Sequence, residues 1–207
     1  MPGEDKGNRG YQLLYRVAKT EAKDYIRNYS DAERFIGYCR QCPRYNTYWS
    51  CPPYGFDVEE YLTRYTDVIL VGTQLFPDAA LRSECTDAKQ STRITYRLIG
   101  EVRRTLDKGL LEWESKYAPA RAFFAGGMCY LCPMEGCARA KGLPCRHPDK
   151  VRPPLEAFGF DIGKTTSQLL GIELQWGRKG SLPEYFTLVS ALFTNSKESD
   201  IIPETLY

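Results

Sequence analysis

The sequence predicts one domain of α/β or α+β class: a mixed sheet covered by helices, one of them long, with two cysteine-rich loops at the ends of its elements. Three observations predict it. Apolar runs suited to buried strands occur at VILV (68–71), ARAFFAGG (120–127) and YFTLVSALF (185–193). Between the first two, Ile94, Leu98, Val102 and Leu106 recur every fourth residue, which makes one stripe of a helix. The cysteines cluster in two short segments that are rich in glycine, proline and aromatic rings.

In chain order, residues 1–10 are expected to be a flexible N-terminus, and 11–207 to form the domain. Tyr11 to Val17 suits a strand and Lys19 to Arg27 a helix. Ser30 with Glu33 has the spacing of a capping box opening a short helix, Asp31 to Tyr38, that delivers Cys39. Asp57 with Glu60 repeats the pattern and starts a helix ending near Tyr65. Asp67 to Phe76 is a buried strand. Glu84 to Lys116 is a long helix or a broken pair, with Gly109 as a candidate interruption and Arg93, Arg97, Arg103 and Arg104 as its polar flank. After the second cysteine segment, Pro153 to Phe158 and Ile162 to Leu170 suit helices. Ile172 to Trp176 and Tyr185 to Phe193 suit two strands joined at GRKGS.

Composition narrows the chemistry. Of 207 residues, 43% are hydrophobic and 26% charged, with a net charge of +2. Mean hydropathy is −0.46, and there is no long apolar run and no apolar leader, so a cytoplasmic location without membrane or nucleic-acid partners is expected. In a reducing compartment, eight clustered cysteines point to metal binding or catalysis rather than to disulfides. With His147 the one histidine, sites built on several imidazoles are excluded, and thiolate sulfur must carry any metal.

The second cluster, CYLCPMEGCARAKGLPC, places Cys129, Cys132, Cys137 and Cys145 at C-x2-C-x4-C-x7-C spacing. Four thiolates on short tethers suit tetrahedral zinc or an iron–sulfur cluster. Several features favour the cluster. Pro43, Pro52 and Pro133 follow cysteines directly, as in ferredoxin-like segments. Gly126, Gly127, Gly136 and Gly142 would let backbone N–H groups approach sulfur, and Tyr38, Tyr45, Tyr48, Trp49, Tyr54 and Tyr130 would wall off solvent. Neither cluster has the paired CxxC of a zinc knuckle.

The first cluster, CRQCPRYNTYWSCPP, has only Cys39, Cys42 and Cys51. Its fourth position is either open to an external ligand beneath Tyr48 and Trp49, or filled by Cys85 or His147; alternatively all seven cysteines ring one larger or paired cluster. Cys85 equally reads as a small buried hydrophobe, and His147 as an orienting or surface residue. Arg40, Arg44, Arg139, Lys141, Arg146 and Arg152 surround the cysteines and would offset thiolate charge, attract an acidic substrate, or simply form a solvated basic face. FGFDIGKTTSQLLG lacks phosphate-loop spacing, and no C-x3-C-x2-C triad is present.

These two cysteine motifs, with the run C-R-H-P…R-P…E-A-x-G-x-D that follows, resemble a predicted metal-binding family, domain of unknown function 2284, over about Tyr11 to Phe193. Pro154 and Leu155 replace an expected serine–methionine pair. The resemblance implies metal binding through Cys39, Cys42, Cys51, Cys129, Cys132, Cys137 and Cys145, without naming a reaction. The expectation is an iron–sulfur redox protein of an anaerobic or low-potential system with two [4Fe–4S] clusters. The four-cysteine cluster would relay electrons. The three-cysteine site would carry an open iron, as in a small oxidoreductase with a redox partner protein or a small-molecule substrate. The alternatives are a zinc-binding assembly module and a cluster carrier or maturation partner.

Overall fold

The computed structural model describes residues 10–132, 136–178 and 180–197. The proposed flexible N-terminus, apart from Gly10, and Pro133 lie outside the described residues. Four strands, β1 (Tyr11–Glu21), β2 (Asp67–Pro77), β3 (Ala120–Phe123) and β4 (Phe186–Thr194), form one sheet of order β1-β2-β4-β3. All three pairings are antiparallel. The class is therefore α+β, and the sheet is not mixed; the parallel contact is an isolated bridge between Phe124 and Pro154.

Strand β2 is buried on both faces, as its continuous apolar run requires. Val68 and Leu70 face one core with Phe123, Val189, Ala191 and Phe193. Ile69 and Val71 face the other with Ala122 and Leu192. Helix α1 (Ala22–Tyr29), the 3-10 turn Leu155–Phe158 and Phe160 cover the first face, with Tyr25 stacked on Phe160 at 4.6 Å. The long helix α5 (Ala88–Lys116) covers the second through Leu106, Leu110 and Trp113, and its N-terminal half packs Ile94, Leu98 and Val102 on Leu75 and Leu188. Gly109 is buried inside α5 without interrupting it.

Several elements differ from expectation for identifiable reasons. The β1–β2 ladder runs to the pair Glu21–Asp67, so α1 starts at Ala22 instead of Lys19. The cap of α2 (Ala32–Gln41) is Asp31, whose carboxylate accepts from the Arg34 N–H at 3.2 Å, while Ser30 ends α1 with its N–H on the Ile26 carbonyl. Asp57 does cap α3 (Val58–Leu62), accepting from Glu60 at 2.8 Å. A break at Cys85 separates α4 (Ala79–Glu84) from α5. Past α6 (Ile162–Thr165) and a π-helical turn (Thr166–Leu170), Ile172–Trp176 forms no strand. Strand β3 pairs only with Ala191–Thr194 of β4, and side chains, not a ladder, secure the 172–176 segment beside the start of β4. The Tyr185 hydroxyl donates to the Glu173 carbonyl at 2.6 Å, and the Glu184 N–H donates to Gln175 Oε1 at 3.1 Å.

Candidate metal centres

The seven clustered cysteines face two separate cavities. Cys129, Cys132, Cys137 and Cys145 line one of about 10 Å3, closed by Tyr48, Trp49, Leu131 and Val151. Cys39, Cys42 and Cys51 line another of about 110 Å3, with Arg44, Tyr45, Gly127 and Glu156. Among the described residues, no three histidine, cysteine, aspartate or glutamate side chains close around a single-ion position. The single seven-cysteine ring is not formed.

Local structure explains each placement. Cys39 rides the last turn of α2 and Cys42 is its C-cap, its N–H donating to the Cys39 carbonyl at 3.0 Å. The loop then returns through tight turns, with the Cys51 N–H donating to the Tyr48 carbonyl at 3.0 Å. In the second motif, Cys137 precedes the 3-10 turn Ala138–Lys141, which Gly142 ends at φ +68°. This left-handed conformation favours glycine.

The motifs interlock through Trp49 and Arg139. The Trp49 backbone N–H donates to Cys137 Sγ at 3.4 Å, and its indole Nε1 donates to the Leu143 carbonyl at 3.0 Å. In return Arg139 donates to the carbonyls of Tyr48 (3.1 Å), Cys51 (2.6 Å) and Pro53 (2.6 Å), with its guanidinium 4.9 Å from the Trp49 ring centroid. Tyr48 and Trp49 therefore close the four-cysteine cavity, not the three-cysteine one beneath which an open iron was expected. The N–H groups on sulfur also come from other residues than the glycines. Cys137 accepts from Trp49 and Cys145 from His147, each at 3.4 Å.

Of the remaining aromatic residues, Tyr45 lines the three-cysteine cavity. Tyr54 lies behind that loop, its hydroxyl donating to the Ser50 carbonyl at 2.8 Å. Tyr38 is exposed, and Tyr130 packs against α5 at Gly100 and Arg103. The basic residues also divide. Arg44 lies beside Cys42 and Tyr96, and Arg146 donates to the Gly136 carbonyl at 3.0 Å, while Arg40 and Lys141 are exposed. Arg152 belongs to no basic face: it is buried in a two-pronged ion pair with Glu114, whose Oε2 also accepts from the Ala122 N–H at 2.7 Å. Arg103 is likewise buried rather than on a polar flank, gripping Asp107 at 2.8 and 2.9 Å and the Gly126 carbonyl at 3.1 Å. Cys85 packs among Leu75, Leu81, Ile94 and Leu98, and lines neither cavity. Burial pushes the Cys39 and Cys129 thiols up to about 11, and raises Cys51 and Cys145. Without a cation these thiols keep their protons at neutral pH, and a metal would displace them.

Glu156 was missed as a site residue by sequence reasoning. It lies more than a hundred positions from Cys39, and nothing in its spacing separates it from a surface glutamate. It shares the three-cysteine cavity and adds an oxygen donor to three sulfurs. By donor chemistry, the sulfurs of the first and second motifs alike suit a thiophilic metal or an iron–sulfur cluster.

No curated protein and no solved structure matches the chain. A family model described as "Predicted metal-binding protein (DUF2284)" matches residues 26–193. The match takes in both cysteine motifs and the Glu156 segment, and starts within α1, so β1 precedes it. With both thiol-lined cavities inside the matched span, the chain belongs to this family of predicted metal-binding proteins.

Proposed function

We propose that the protein is an iron–sulfur redox protein in which Cys129, Cys132, Cys137 and Cys145 hold a closed [4Fe–4S] cluster, and Cys39, Cys42 and Cys51 hold a second, accessible centre. The observation that carries this reading is the division of the thiols: four line one cavity, and three line a second, wider one of about 110 Å3. Such clusters supply reversible one-electron transfer at potentials set by charge, hydrogen bonds to sulfur and solvent access. This chain supplies those levers. N–H groups of Trp49 and His147 stabilise negative charge on Cys137 and Cys145. Tyr48, Leu131 and Val151 shut out water. Arg44 and Arg139 place positive charge on the three-cysteine loop, where an electron donor or an anionic small molecule would approach. The protein would then act as a small oxidoreductase, taking electrons at one centre and delivering them to a partner or substrate at the other.

Purification without oxygen tests this. The expected product is a brown protein with iron and acid-labile sulfide in near-equal amounts, sufficient for two clusters per chain, that bleaches on reduction. A colourless chain with tightly held zinc and no sulfide overturns it.

A further inference from the structure

We propose that Glu156 is the fourth protein donor of the Cys39–Cys42–Cys51 centre, its carboxylate completing a set of three sulfurs and one oxygen. This rests on reading that cavity as a metal centre.

Three observations converge on it. Glu156 lines the same cavity as the three thiols, although its turn lies more than a hundred residues away in sequence. The turn is docked onto the cysteine-bearing helix: Gly159, at φ +89°, lies so close to Ala32 at the start of α2 that a Cβ there would meet the Ala32 Cα at 2.6 Å. The Asp31 N–H donates to the Gly159 carbonyl at 2.9 Å. The carboxylate's own position is cut into the Gly126–Gly127 turn. A Cβ on Gly126 would lie 1.8 Å from Glu156 Oε1 and 2.9 Å from its Cδ. The φ of Gly126 is not left-handed, so the backbone does not call for glycine there; the carboxylate does. Arg103 fixes this turn by donating to the Gly126 carbonyl at 3.1 Å while Asp107 clamps its guanidinium.

Glu156 is half-buried and forms no side-chain ion pair among the described residues. Glu114 shows the contrast, satisfied by Arg152 and the Ala122 N–H. A carboxylate that shares a cavity with three thiols is provided for when a cation occupies that cavity. Oxygen is a harder donor than thiolate toward iron or zinc, and hence the ligand more readily exchanged for an incoming one. With Glu156 as a fourth donor that can be exchanged, no vacancy is needed and neither Cys85 nor His147 is recruited.

The test measures iron, zinc and acid-labile sulfide per folded chain, with absorption and paramagnetic resonance spectra, in full-length protein purified without oxygen. It compares the wild type with Glu156→Gln, Glu156→Cys, Cys39→Ala and Cys129→Ala. Glu156→Gln is expected to lose the metal that Cys39→Ala loses and to keep the metal that Cys129→Ala loses. Glu156→Cys is expected to restore it with a shifted spectrum, since oxygen has become sulfur. Wild-type metal content and spectrum in Glu156→Gln overturn the assignment. Should that variant fail to fold by circular dichroism, an unchanged spectrum in Glu156→Cys overturns it alone. If the wild type carries zinc and no sulfide, the iron–sulfur reading fails, and the assignment is decided by whether Glu156→Gln holds one zinc fewer. A wild type without any metal overturns both.

Discussion

The backbone N–H of Trp49, in the first cysteine motif, donates to Cys137 Sγ, in the second, at 3.4 Å. A ligand candidate of one centre thus depends on the loop that shapes the other. Arg139 completes the exchange from the opposite side by holding three carbonyls of the Tyr48–Pro53 segment. The two motifs fold as one unit around two cavities, so damage to this seam should be felt at both.

Arg139→Ala tests the seam. It removes three charge-assisted bonds to carbonyls and the contact with the Trp49 ring, in a half-exposed setting. The expected loss is about 2–3 kcal/mol, read from urea unfolding of metal-loaded protein, with faster metal release from both centres. Arg139→Lys should recover little, because one ammonium cannot span three carbonyls. Wild-type release rates from either centre in the alanine variant would show that the motifs are independent.

Gly126→Ala makes a sharply local prediction. The added methyl would occupy the place of Glu156 Oε1, so the carboxylate must leave its position or the turn must shift, at a cost of about 1–3 kcal/mol. Metal bound at Cys39, Cys42 and Cys51 should be lost at least tenfold more readily, while the Cys129–Cys145 set keeps its own. Gly127→Ala, next door, should be strained for a different reason, since Gly127 has φ +105° with open space around its Cβ position. Comparable metal loss from both centres in Gly126→Ala would point to general unfolding and not to the carboxylate.

The sequence made some of this legible and hid the rest. Strand β2, the stripe of α5 and the Asp57 cap could be read because burial on two faces, helical periodicity and capping are local signals. The grouping of the cysteines was legible for the same reason: their tethers are short. What failed was non-local. Ile172–Trp176 looks like a strand, yet bonds from Tyr185 to Glu173 and from Glu184 to Gln175 hold it without a ladder. Arg103 and Arg152 look like surface charges until Asp107 and Glu114 are brought to them inside the fold. Tyr48 and Trp49 adjoin Cys51 in sequence, but the loop turns them toward the other cavity. Glu156 reaches the cysteines only because its turn packs on α2.

Cys85 offers a negative control among the cysteines. It is buried with Leu81, Leu98 and Leu188 and lines neither thiol cavity. Cys85→Ala should leave metal content and spectra unchanged and cost about 1 kcal/mol from the small void it leaves. Cys39→Ala, at a half-buried position, should do the reverse: strip one centre while changing metal-free stability little. Loss of metal in Cys85→Ala would return this residue to the ligand set.

Tyr25 makes stability pH-dependent in a window far from the metal chemistry. It is wholly buried, stacked on Phe160, with its hydroxyl 2.9 Å from Thr165 Oγ1. Burial, the largest influence, pushes the phenol well above its ordinary 10.0, and the Thr165 bond opposes this only in part. The folded chain therefore holds a proton that the unfolded chain releases once pH passes about 10, so Tyr25 favours folding fully below that point and progressively less above it. Tyr65, pushed up to about 12 by burial, adds to the same limb. Tyr25→Phe should lose about 1 kcal/mol at neutral pH with its hydrogen bond. It should also flatten the decline in unfolding free energy between roughly pH 10 and 12 without abolishing it. Chemical denaturation of wild type and variant across that range compares the slopes, and parallel alkaline limbs would mean that Tyr25 ionises in the folded protein as readily as in the unfolded chain.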